Sequence, residues 1–232
     1  MIRTGVDGDG DVRTVTLDRP DSRNALTESG LADLKAAVES ATEPVVYVHG
    51  AGEAFCAGAD LETVAGLTDD EATAFARRGQ AVASTLAAYD GAVVAGIDGA
   101  ARGGGVELAL ACDVRVATPD ATLAETGVSI GLFGAWGGTV RLPEIVGLGG
   151  AMDLELSGRT VDATEAERMG LVSRVVENPL AVARAIAAND PAAVRTLKER
   201  LHDDAPRDRR EDREAAAFAD LIGSSDAGNR NG

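Results

Sequence analysis

Lysine is almost missing from this chain. Of 22 basic residues only Lys35 and Lys198 are lysines, against 38 Asp and Glu, and the net charge is −16. Such a surface repels phosphate backbones and anionic lipid, so neither nucleic acid nor a membrane is an expected partner. An acid-rich, lysine-poor surface also suits a cytoplasm of high salt, where screening weakens self-repulsion. Cysteine is scarce as well. Cys56 and Cys112 lie far apart in apolar surroundings and read as two reduced, buried thiols, not as a disulfide or a metal pair. His49 and His202 have no metal-ligand companions, and no metal site is expected. No apolar run reaches the ~18 residues of a membrane span, and no signal-like apolar core follows Met1. A soluble, cytoplasmic protein is expected.

What is present suffices for a core. With 45% apolar residues in 232, the chain fits one large domain or a domain with a small appendage. Residues 2–6 and 12–17 read as strands around an Asp-Gly turn, and Thr27 as the cap of a helix through LADLKAAVES. VVYVHG, VVAGIDG, VRVAT and LVSRVVE read as strands. Helices are expected over 69–89, 137–147 and 150–157, over TEAERMG with Gly170 closing it, and over most of 179–201 with breaks at Pro179 and Pro191. The mixed-charge run ERLHDDAPRDRREDREAAAF reads as a solvated helix face, and SSDAGNRNG as a disordered tail. Twice, at VVYVHGAGEAFCAGAD and VVAGIDGAARGGGVEL, a short apolar strand runs into a glycine-rich turn. That recurrence suggests stacked turns of a strand-and-helix spiral.

The second of these stretches sets Gly103, Gly104 and Gly105 just before Glu107 and the apolar run LALAC. A glycine turn feeding a helix presents unpaired N–H groups and the positive end of the helix dipole. Such a place can hold a phosphate, a carboxylate, or a carbonyl oxygen that turns negative during reaction. The phosphate version lacks support: no lysine follows as in a P-loop, and Leu108 stands where the dinucleotide fingerprint needs its third glycine. The oxyanion version needs a second donor and a proton carrier nearby. FCAGADL, with Gly58 between Ala57 and Ala59, can give the donor, and Glu107 is a ready carrier. On these residues alone, two structural turns and a first-turn glutamate that complements the dipole stand equally open.

Five stretches in order resemble the enoyl-CoA hydratase/isomerase (crotonase) family. They are LDRPDSRNAL, GEAFCAGADL, DGAARGGGVELALACDVRVAT, GLFGAWGGTVRLPEIVG and LSGRTVDATEAERMGLVSRVV, and together they cover nearly the whole chain. The resemblance implies an α/β fold with a spiral ββα core and a C-terminal helical region. Residues 1–178 would form the core, 179–222 a helical trimerisation region and 223–232 a tail. It implies an acyl-CoA thioester substrate, no cofactor beyond the coenzyme A of that substrate, and a homotrimer or a homohexamer. Carried onto this chain, it makes the N–H groups of Ala57 and Gly104 the oxyanion hole and Glu107 the first catalytic glutamate. It lays Ala57 to Leu61, including Ala59 and Asp60, along the coenzyme A moiety. Arg23 joins the substrate-binding set from its charge and loop position alone, and Trp136 as a wall of the acyl pocket or core filler.

The match fails at one point of chemistry. Hydratases of the family carry a second glutamate four residues before the glycine matching Gly131, and here that place is Gly127. Glu125 stands two positions early, roughly 6–7 Å along a strand. Glu125 reaching the site, Glu107 acting alone, and a thioester site serving another outcome all stay open. A solvated loop acid is the plainer reading of Glu125, as a solvated serine is of Ser129. Gly134 occupies a position where the family often has proline, and the chain stops soon after AAAFADLIGSSD, which suggests a short lid over the pocket. The expected activity is hydration of the 2,3 double bond of an acyl-CoA thioester. Double-bond isomerisation and non-catalytic thioester binding are the alternatives.

Overall fold

The computed structural model describes residues 1–7 and 10–224. Its strands are β1 (Ile2–Asp7), β2 (Val12–Leu17), β3 (Val45–Gly50), β4 (Ala54–Cys56), β5 (Ala92–Ile97), β6 (Ala100–Arg102), β7 (Val114–Ala117), β8 (Thr122–Ala124), β9 (Val161–Asp162) and β10 (Arg174–Val175). Its helices are α1 (Glu28–Glu39), α2 (Leu61–Ala65), α3 (Asp69–Ala87), α4 (Gly104–Leu110), α5 (Gly138–Ser157), α6 (Ala163–Arg168), α7 (Pro179–Ala187), α8 (Pro191–Leu201) and α9 (Arg207–Ser224). Short 3-10 turns cover Pro20–Ser22 and Thr126–Ile130.

The strands form two sheets. One runs β1-β2-β3-β5-β7-β10, parallel except for the β1–β2 hairpin; the other runs β4-β6-β8-β9. Each spiral turn gives one strand to each sheet, which is why VVYVHG and AFC, or VVAGIDG and AAR, follow one another so closely. A parallel strand is covered on both faces, so its residues sort by parity. Along β3, Val46 and Val48 face a large core with Leu31, Leu34, Leu86, Phe55 and Ile97, whereas Val45 and Tyr47 face a smaller one with Val94, Val182 and Ala183 of α7.

Local chemistry sets the helix ends. Thr27 accepts the Gly30 N–H at the start of α1, and Thr68 and Glu71 form a reciprocal capping box at α3. The breaks expected at Pro179 and Pro191 are helix starts: each proline opens its helix, where its missing N–H costs nothing. Within α5, Gly147 at φ 75° and ψ 159° interrupts the helix between the two expected segments. LVSRVVE is strand only at Arg174–Val175, because the Leu171 and Val172 N–H groups turn back onto the Ala166 carbonyl at the end of α6. Of the expected tail, Gly223 and Ser224 belong to α9, and residues 225–232 lie outside the described residues.

Candidate active site

The two glycine-rich stretches meet through their backbones. A Cβ on Gly58, at φ +84°, would stand 2.8 Å from the Gly104 nitrogen, and one on Gly105 would stand 2.2 Å from the Cys56 carbonyl oxygen. Only residues without a side chain permit that approach. It sets the FCAGADL stretch against the first turn of α4 and opens a pocket of about 300 Å³ beside them. Ala59, Gly104, Glu107, Gly127, Phe75 and Trp136 are among its lining residues. The rest of the wall is largely apolar and comes from α2, α3 and the segment 130–135.

Glu107 is 1% exposed, yet it lines this pocket. Its Oε1 accepts the Trp136 N–H at 2.8 Å and the Gly138 N–H at 2.6 Å, the latter from the first turn of α5. Burial pushes its carboxyl above the ordinary range, the two N–H donors pull it back, and Glu155 of α5 adds a further rise. The net direction is upward. A buried carboxylate with one oxygen held by donors and a raised proton affinity is suited to taking up and returning a proton.

The oxyanion expectation needs a correction at its first donor. The Ala57 N–H is spent on the Arg23 carbonyl at 2.9 Å. Ala59 pairs in a parallel bridge with Leu26, whose N–H and carbonyl bond Gly58 O and Asp60 N. Alternate backbone groups of an extended segment point opposite ways. The Ala59 N–H therefore faces away from Leu26, and among the described residues no hydrogen bond uses it. Gly104, at the first position of α4, likewise has no intrahelical acceptor for its N–H.

The Asp60 side chain has a structural part. Its carboxylate, 7% exposed, accepts from Arg19 and from the Thr63 N–H at the start of α2, so it caps a helix and does not line the pocket. Arg19 is the first cause of its lowered pKa. Leu61 does line the pocket, at 61% exposed. Arg23 opens onto an adjoining recess with Arg102, Asp21 and Glu53, which shares only Ala57 with the apolar pocket. Trp136 is both wall and filler: it is 3% exposed, lines the pocket, and leans on Phe75 with ring centroids 5.9 Å apart.

Glu125 is not a solvated loop acid. It is 3% exposed, neither carboxylate oxygen has a hydrogen-bond partner, and it does not line the pocket. Burial first, then Glu107 and Glu155, push it up to about 10. Glu155 itself escaped sequence reasoning, because nothing in α5's pattern marks one glutamate among its exposed neighbours as turned inward. The remaining polar candidates are structural. His49 bonds Thr16 at 2.9 Å and stacks on Tyr47, Asp113 holds the Val93 N–H and Lys198, and Ser129 bonds the Thr126 carbonyl. Both cysteines are free and buried, with thiols pushed up to about 12 by burial. Among the described residues, no helix is long and apolar enough to cross a membrane.

Known proteins resemble this chain in sequence and fold. A sequence model described as enoyl-CoA hydratase/isomerase matches residues 7–226. The Bacillus subtilis protein YngF is 43% identical over 197 residues, 79% of this chain and 75% of its own. A short-chain-enoyl-CoA hydratase of Clostridium acetobutylicum is 34% identical over 205 residues, 84% of this chain and 78% of its own. Among solved structures, an enoyl-CoA hydratase from Bacillus anthracis superposes with a TM-score of 0.89 at 34% identity, over 96% of this chain and 92% of that one. The spiral of two sheets, the glycine-lined pocket and these matches agree: the chain belongs to the enoyl-CoA hydratase/isomerase family.

Proposed function

We propose that the protein adds water across the 2,3 double bond of an acyl-CoA thioester. The observation that carries this reading is the convergence of one buried carboxylate, Glu107, and two main-chain residues, Ala59 and Gly104, on a single apolar pocket. The thioester carbonyl oxygen accepts from the Ala59 and Gly104 N–H groups. Glu107 takes a proton from water as the water oxygen bonds the β-carbon, and the electron pair of the double bond moves onto the carbonyl oxygen as an enolate. Glu107 then returns that proton to the α-carbon, which regenerates the carboxylate. Each oxyanion donor contributes about 3–4 kcal/mol in the transition state. Coenzyme A enters as part of the substrate, and no step calls for another cofactor.

Glu107 is the one carboxylate among the pocket-lining residues, with Gly127 where the second glutamate was expected. That observation also favours a second reading, double-bond isomerisation, in which Glu107 carries a proton between two carbons. Coupled assays on 2-enoyl and 3-enoyl thioesters separate the two. Tight thioester binding with no turnover of either would contradict both and leave a binding protein.

The reading extends to assembly. Leu148, Met152 and Leu156 of α5, Leu197 and Leu201 of α8, and Phe218 and Ile222 of α9 are each at least half exposed. Apolar surface of that extent favours association between copies, as a homotrimer or a pair of trimers.

A further inference from the structure

Glu107 of α4, Glu125 at the end of β8 and Glu155 of α5 share one neighbourhood: Glu107 and Glu155 both raise the proton affinity of Glu125, and Glu155 raises that of Glu107. No base faces them. Arg102 of β6 is spent on the Ala101 and Thr122 carbonyls, Arg141 of α5 on the Trp136 carbonyl, and Arg159 on Asp153 and Glu165. Asp162 caps α6 by accepting the Glu165 N–H. Nor do the three acids converge closely enough to hold a metal ion, since among the described residues no such group exists. Like charges in one buried neighbourhood oppose joint ionisation, and a proton goes where charge is least supported.

The two buried members differ in that support. Glu107 has two backbone N–H donors on Oε1 and sits at the positive end of α5. Glu125 is just as buried, and both its oxygens lack any partner. We propose that Glu125 is a positioning residue that holds a proton beside Glu107 in the resting enzyme, leaving the Glu107 carboxylate ionised and able to accept a proton in the pocket. This rests on the reading of Glu107 as the proton carrier. Glu125 does not touch substrate; it acts by staying neutral. An ionised Glu125 would drive the proton onto Glu107 and set a second negative charge near the forming enolate. Half-buried Glu155, with one unpartnered oxygen, raises the proton affinity of both acids, so the choice between them falls to the N–H donors that Glu107 has and Glu125 lacks.

The test is infrared difference spectroscopy of the carboxyl groups at neutral pH, together with pH profiles of kcat/KM. The wild type should show the C=O stretch of a buried protonated acid. Glu125→Gln should lose that band, and Glu107→Gln should keep it. In the profiles, Glu125→Gln should leave the acid limb in place and extend the alkaline limb, because the ionisation that ends activity there is gone. A band lost in Glu107→Gln and kept in Glu125→Gln would place the proton on the wrong residue. Absence of the band in wild type, or an acid limb that moves to lower pH in Glu125→Gln, would show Glu125 ionised and overturn the proposal. Should Glu125→Gln fail to fold, the double variant Glu107→Gln, Glu155→Gln decides: a band kept there belongs to Glu125, and a band lost there overturns the proposal. Full activity of Glu107→Gln would instead strike at the underlying reading, leaving the location of the proton a separate result.

Discussion

The carboxyl group of Glu107 lies directly against the backbone of Gly134, where an added Cβ would stand 2.7 Å from its carboxyl carbon. Any side chain at 134 must displace the group that we assign to proton transfer. Gly134→Ala is therefore expected to lower kcat by about tenfold or more, within the range that a misplaced general base loses. The loss should fall mainly on kcat, because one added methyl group changes the apolar wall little while it displaces the carboxyl group. Steady-state kinetics on a 2-enoyl thioester check this, and an unchanged kcat would mean that Glu107 can work from another position.

The proposed oxyanion donors are main-chain groups, so each is removed by replacing a single amide with an ester. At Ala59 that exchange should cost roughly 100- to 1,000-fold in kcat. At Ala57 it should weaken folding instead, since that N–H bonds the Arg23 carbonyl. The opposite pattern would restore Ala57 as the donor.

Burial of Glu125 has a consequence for stability. Its carboxyl titrates at about 10 in the folded chain and near 4.3 when unfolded. A group whose folded pKa is raised contributes fully below the unfolded value, and that contribution is lost as pH climbs towards the folded one. Glu125→Gln removes this loss, so its gain in Tm over wild type should be larger at pH 8 than at pH 5. A variant that loses stability equally at both pH values would contradict the assignment.

Much of this was legible in the sequence, and the parts that were not share a cause. The glycine clusters announced a close backbone approach, and Thr27 and Gly170 marked helix ends where they stand. Ala57 was taken for Ala59 because the direction of an N–H depends on which neighbour the segment pairs with, here Leu26. A solvated acid was the plainer reading of Glu125 because its burial arises only in the folded chain, where the turn it opens packs on α5. Asp60 belonged to a matched motif, yet its role is fixed by Arg19, 41 residues away in sequence.

Net charge gives a prediction independent of the site. With −16 to hold together, folding should gain from screening, and Tm should rise between low and molar salt. Equal stability in both would remove the case for a saline habitat.

For assembly, Met152→Arg and Leu156→Glu place charge on the exposed face of α5. Light scattering should show a smaller particle for the double variant than for wild type, and an unchanged mass would clear that face of a role.

The most direct measurement of the central claim is kcat for hydration of a 2-enoyl-CoA by the Glu107→Gln variant. Loss of roughly 100- to 10,000-fold with thioester binding retained is the expected result, the span that a positioned proton-transfer group supplies. Turnover at the wild-type rate would contradict the account outright.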